Sequence, residues 1–87
     1  MSEIEAPGGR DEDLLYVEIA LDIEGRIIRQ ELMPGARLRS ERSLAEFYKV
    51  SYGTIRRAMN YLRARDLIET IHGRGTFVKR TPKPPHG

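Results

Sequence analysis

The feature that most constrains this chain is an apolar stripe with a cationic back. In "KVSYGTIRRAMNYL", residues 49 to 62, Ile55, Ala58, Met59 and Leu62 fall at i, i+3, i+4 and i+7. That spacing gathers four apolar side chains on one face of a helix. At about 100° per residue, Gly53, Arg56, Arg57 and Asn60 point the opposite way, with Tyr52 and Arg63 on the flank. Such a helix needs a core behind it and presents two adjacent arginines to whatever lies in front. Ser51 is placed to cap its start.

The segments around it supply that core. Upstream, Tyr16, Ile19, Ala20, Ile23, Ile27 and Leu32 recur at helical spacing behind the acidic start Asp11–Asp13. Gly25 lies inside this run at a cost of about 1 kcal/mol relative to alanine, and Pro34 and Gly35 in "MPGARL" are expected to stop the helix. Ser40 then caps a short second helix with Glu41 in its first turn and Leu44, Ala45, Phe47 and Tyr48 on its apolar side, ending near Tyr48 or Lys49. Downstream of Asp66 the period changes to alternation: "LIETIH", a "GRG" turn and "TFVK" predict a β-hairpin. The expected organisation is a loose leader at 1–10, one domain at 11–80, and a proline-rich tail or linker stub at 81–87.

Charge is distributed unevenly. Residues 1–36 hold 3 basic groups against 9 acidic ones, whereas residues 37–80 hold 11 against 4. A basic half beside an acidic half suits a protein that turns one face to a polyanion. With 87 residues the chain makes one small domain without room for a deep substrate cavity. It has no cysteine and two histidines, and no clustered carboxylates on the core segments. No nucleophile–base pair, metal set or cofactor motif emerges, so an enzyme is not expected. No apolar run reaches the roughly 18 residues that span a bilayer and no signal peptide is visible, which points to the cytoplasm.

Two short helices joined at Lys49-Val50 fit a helix-turn-helix, with Ala45 small enough for close helix approach and Val50 plugging the turn. In such a unit the second helix enters the major groove of DNA and its first residues meet base edges. The fold class expected is therefore mainly α with a small β-hairpin: a winged helix-turn-helix of three helices and a two-stranded antiparallel wing. The rival reading, a winged helix that binds proteins, would put an apolar patch where this chain has arginines.

"PGARLRSERSLAEFYKVSYGTIRRAMNYLRARDLIETIHGRGTFV" resembles the N-terminal winged helix-turn-helix domain of the GntR family of bacterial transcription regulators. The resemblance covers roughly residues 14–80 and rests on Pro-Gly, Ser-Glu-Arg, Val-Ser, Thr-x-Arg and Gly-x-Gly-Thr-Phe-Val together. It implies a regulator, a repressor in the first instance, that binds palindromic double-stranded DNA as a dimer. It also implies an effector-binding domain that this chain does not contain. The recognition helix would be 51–65 and the wing 67–79. The chain departs from the family pattern at Arg39, where proline is usual, at Tyr52, where arginine is usual, and at Asp66, where glycine is usual.

The same resemblance gives the candidate contacts. Arg39, Ser40 and Arg42 belong to the second helix and its cap. Ser51, Tyr52, Gly53 and Thr54 open the recognition helix, where amides and hydroxyls hold phosphate. Arg56 is the expected guanine reader, since a guanidinium can make a bidentate pair with that base. Arg57 and Asn60 follow it. His72, Gly73, Arg74 and Gly75 form the wing tip, where glycines admit close backbone approach and an arginine suits a narrow minor groove. Glu41 is expected to serve helix packing, and Arg57, Arg63 and Arg65 to be solvated or to face phosphate rather than to read bases.

Overall fold

The computed structural model describes residues 7–79. Three helices, α1 (Pro7–Ile28), α2 (Glu41–Tyr48) and α3 (Tyr52–Ala64), precede an antiparallel hairpin of β1 (Ile68–Ile71) and β2 (Gly75–Val78). The register pairs Ile68 with Val78, Glu69 with Phe77, Thr70 with Thr76 and Ile71 with Gly75. The expected tail at 81–87 and the first six residues lie outside the described residues.

The stripe on α3 is the centre of the core. Ile55, Ala58, Met59 and Leu62 are all buried, against Ile19, Ala20 and Ile23 of α1, Leu44 of α2, and Ile68 and Val78 of the hairpin. Leu38 joins them from the connection between α1 and α2. Both short helices are capped as their serines suggest. The Ser40 hydroxyl accepts from the Ser43 amide at 3.0 Å, and the Ser51 hydroxyl accepts from the Thr54 amide at 3.1 Å. Lys49 ends α2 in the left-handed conformation (φ 59°), and its amide donates to the Ala45 carbonyl. After α3, Arg65 caps the helix without a left-handed turn, and the next residue, Asp66, takes the left-handed conformation (φ 66°). Aspartate tolerates that region better than most residues, and its carboxylate takes up the Lys79 ammonium, which ties the end of α3 to the end of β2.

Four expectations need correction. The leader was expected to run to residue 10, but α1 begins at Pro7. Proline suits a first helical turn, where its missing N–H has no partner to lose. The helix also ends earlier, at Ile28, before Pro34 is reached. Gln30 turns left-handed (φ 64°) and the amides of Glu31 and Leu32 both close on the Arg26 carbonyl. The segment after it is more than a break. Gly35 and Leu38 donate to the Val78 and Thr76 carbonyls, and the Val78 amide donates to Ala36, each at 2.8 Å. Residues 35–38 thus lie along β2 as an extra edge. Finally, Phe47 is 50% exposed rather than core. Its ring stands edge-on to Tyr48 at 4.9 Å, and the Arg39 guanidinium lies 5.1 Å above it.

A polar lock joins α1 to α2. The Tyr48 hydroxyl donates to Asp22 at 2.7 Å, and Arg26 Nε donates to the same oxygen at 3.1 Å. The Tyr48 bond, then Arg26, holds the Asp22 carboxyl below its ordinary value of 3.8. Burial, and next the bond to Asp22, pushes the Tyr48 phenol up to about 12. A depressed carboxyl contributes stability above its unfolded pKa and loses it as pH falls through the folded one. A raised phenol contributes below its unfolded pKa and loses it as pH climbs from about 10 to about 12. Tyr48→Phe is therefore expected to cost about 0.5–1.5 kcal/mol near neutrality. The gap to wild type should be flat from roughly pH 5 to 9 and narrow at both extremes. Denaturant titrations of both proteins across pH check this; a gap that ignores alkaline pH would mean the phenol is not held by Asp22.

Candidate nucleic-acid interface

The outer face of α3 carries Tyr52, Gly53, Arg56, Arg57 and Asn60, all exposed. Each is placed by what lies beneath it. The Arg56 guanidinium sits 5.4 Å above the Tyr52 ring, and its Nε lies 3.5 Å from a Glu41 carboxylate oxygen. Glu41, in the first turn of α2, thus pairs with Arg56 across to α3. A cation so exposed gains little stability from that pair; the effect is on where its side chain points. Gly53 has open space around it: a Cβ there would meet only the Ser51 hydroxyl, at 3.9 Å. The backbone at the start of α3 can therefore be approached closely.

Four residues make contacts within the fold that the expectation did not include. Thr54 is buried, and its hydroxyl and amide are both engaged by Ser51 Oγ, at 3.0 and 3.1 Å. It belongs to the cap and does not offer its hydroxyl outward. Arg57 leans back over α1, with its guanidinium 4.4 Å from the Tyr16 ring centroid. Asn60 is exposed, but its side-chain Oδ1 accepts from an Arg63 guanidinium nitrogen at 2.7 Å. Arg65, expected to be solvated or to face phosphate, is half exposed, and its guanidinium also spans to Glu24 of α1 at 3.0 Å and lies over Tyr61.

At the hairpin, His72, Gly73 and Arg74 form an exposed three-residue loop closed by the Arg74 amide donating to Ile71. Gly73 (φ 79°) has nothing within 4 Å of a would-be Cβ, so it serves the turn and leaves the tip open. Gly75 (φ 129°) has a different reason to be glycine: a Cβ there would lie 2.7 Å from Arg37 Nε. Arg37, absent from the candidate set, packs against the wing beside Gly75, next to its tip.

Between α2, α3 and the wing runs an open cleft of about 800 Å³. Arg37, Arg39 and Arg63 contribute cations to its walls against one carboxylate, Glu41, and Ser40, Ser43, Thr70 and Thr76 contribute hydroxyls. A groove with that lining suits a phosphate chain. Arg42 is exposed on α2. The sequence carried a signal for part of the missed set: Asn60 and Arg63 stand one helical turn apart, the spacing of facing side chains. Arg37 had no such signal, because its place depends on the added edge beside β2. Among the described residues no group of three or more His, Cys, Asp or Glu could hold a metal ion, and no helix is long and apolar enough to cross a membrane.

Residues 15–78 match the family described as bacterial regulatory proteins, gntR family. Among curated relatives, the chain is 39% identical over 64 residues to the uncharacterized HTH-type transcriptional regulator YhcF of Bacillus subtilis, covering 74% of this chain and 53% of that protein. It is 42% identical over 65 residues to the mannosyl-D-glycerate transport/metabolism system repressor MngR of Escherichia coli, covering 75% and 27%. The chain thus spans about half, or less, of the relatives it matches. Among solved structures, the AraR DNA-binding domain in complex with operator ORX1 superposes with a TM-score of 0.70 at 28% identity, covering 90% of this chain and 86% of that one. A GntR family transcriptional regulator from Listeria monocytogenes gives 0.74 at 26%, covering 92% and 64%.

Proposed function

Because this chain belongs to the gntR family of bacterial regulatory proteins, we propose that it is the DNA-binding part of a transcription regulator, a repressor acting in the cytoplasm. Its ligand is a palindromic double-stranded operator, bound by two copies of the chain. Helix α3 enters the major groove, with Arg56 on a guanine and Tyr52 and Gly53 against the neighbouring backbone or bases. Arg39, Ser40, Arg42 and Ser51 hold phosphates on either side, and Arg74, flanked by His72, Gly73 and Gly75, reaches the minor groove. The observation that carries this reading is the open face of α3: a buried apolar stripe on one side, and on the other an arginine steadied in place by Glu41 and Tyr52. The operator complex of the AraR domain, which shares this fold, supports it.

Selection of bound sites from random duplexes tests the proposal and reports the half-site spacing. A dyad consensus is expected, with affinity falling steeply as salt rises because displaced counterions return to the DNA. No enrichment, or a flat response to salt, would sink it. In the same assay Tyr52→Arg is expected to change the preferred bases, since arginine adds a bidentate donor that the phenol lacks. An identical consensus from both proteins would show that Tyr52 reads no base.

A further inference from the structure

We propose that Arg63 is a positioning residue that ties the recognition helix to the wing, so that major-groove and minor-groove contacts are made as one unit. The proposal rests on the DNA-binding reading above. Arg63 lies in the last turn of α3. One arm of its guanidinium donates to the Asn60 side-chain Oδ1 at 2.7 Å, and the other donates to the Thr70 hydroxyl at 2.6 Å. Thr70 in turn shares a hydrogen bond of 3.0 Å with the hydroxyl of Thr76, its register partner on β2. A continuous polar chain therefore runs from the outer face of α3 across both strands of the wing. Only a planar fork can hold two acceptors at fixed angles in this way; an ammonium is a point charge.

The wing needs such a tie. A two-stranded hairpin is marginal on its own, and β1 buries only its first residue, Ile68. Apolar packing thus fixes the root of the hairpin and leaves its tilt undetermined. Residues 35–38 support β2 from one edge, and Arg63 fixes the hairpin to α3 from the other side. Both partners of Arg63 are uncharged, so the tie leaves its positive charge in the cleft beside Arg37 and Arg39.

The test uses Arg63→Lys and Thr70→Val, both of which keep the local packing, and two readouts. The first needs no DNA: backbone order parameters of residues 72–75 are expected to fall in both variants. The second is site selection followed by affinity on the selected operator. Each variant is expected to bind about 5-fold more weakly, the double variant no worse than either alone, with base preference broadened only at the outer positions reached by the wing. A merely structural role would lower affinity at every position equally. Unchanged wing order, or an unchanged consensus in both variants, overturns the tie while leaving DNA binding intact. A wild-type protein that selects no duplex overturns both readings.

Discussion

Ile55→Ala is expected to unfold a large fraction of the domain at ambient temperature. Ile55 has no exposed surface and stands behind the first turn of α3, among the largest fully buried side chains. Truncating such a residue removes its transfer energy and leaves a cavity, at a cost of about 2–5 kcal/mol. A domain this small holds only about 5 kcal/mol or a little more in total, so the loss is comparable to the whole. The affinity for DNA should then fall by the same factor on operator and on random duplex, because the binding-competent population shrinks while each contact stays as it was. Urea unfolding monitored by circular dichroism gives the stability change directly. A midpoint within error of wild type would show that the stripe is not the anchor of α3.

Arg56→Ala should behave in the opposite way. The side chain is 62% exposed, so its loss opens no cavity and the melting temperature should hardly move. Operator affinity should fall by about 1–3 kcal/mol, with relaxed preference at a single base position. Non-specific binding should weaken much less, by the one charge removed. Parallel titrations on operator and random DNA separate the outcomes: an equal loss on both would reduce Arg56 to a phosphate contact. A companion measurement with Glu41→Gln is informative, because it keeps the shape of the neighbour at 3.5 Å while removing its charge.

The fold was legible where one residue's chemistry decided the matter locally. The stripe on α3, the two serine caps and the tolerance of Asp66 for a left-handed turn are all properties of short windows. What stayed hidden depended on pairings between distant segments. Residues 35–38 look like a simple interruption, a Pro-Gly break followed by Ala36, Arg37 and Leu38 with no strand pattern of their own, until β2 is beside them. The same holds for Phe47: helical spacing puts it on an apolar side, yet the Arg39 guanidinium and the Tyr48 ring cover it at the surface. At the candidate site, exposure of Tyr52, Arg56 and Arg74 followed from periodicity and turn chemistry. The inward lean of Arg57 did not, since it is set by Tyr16 on another helix. Nor did the burial of Thr54, which a single turn of helix brings under Ser51.

The strip of backbone at Gly35–Leu38 also bears on how the molecule is made. Its hydrogen-bonding partner, β2, lies some forty positions later: the Val78 amide closes on the carbonyl of Ala36. While the polypeptide is still emerging from the ribosome, α1 through α3 can gather early through nearer contacts. The edge left by residues 35–38 stays unsealed until β2 has cleared the exit tunnel. Closure of this domain is therefore timed by its hairpin, and a nascent chain halted before Val78 presents an open strand to its neighbours.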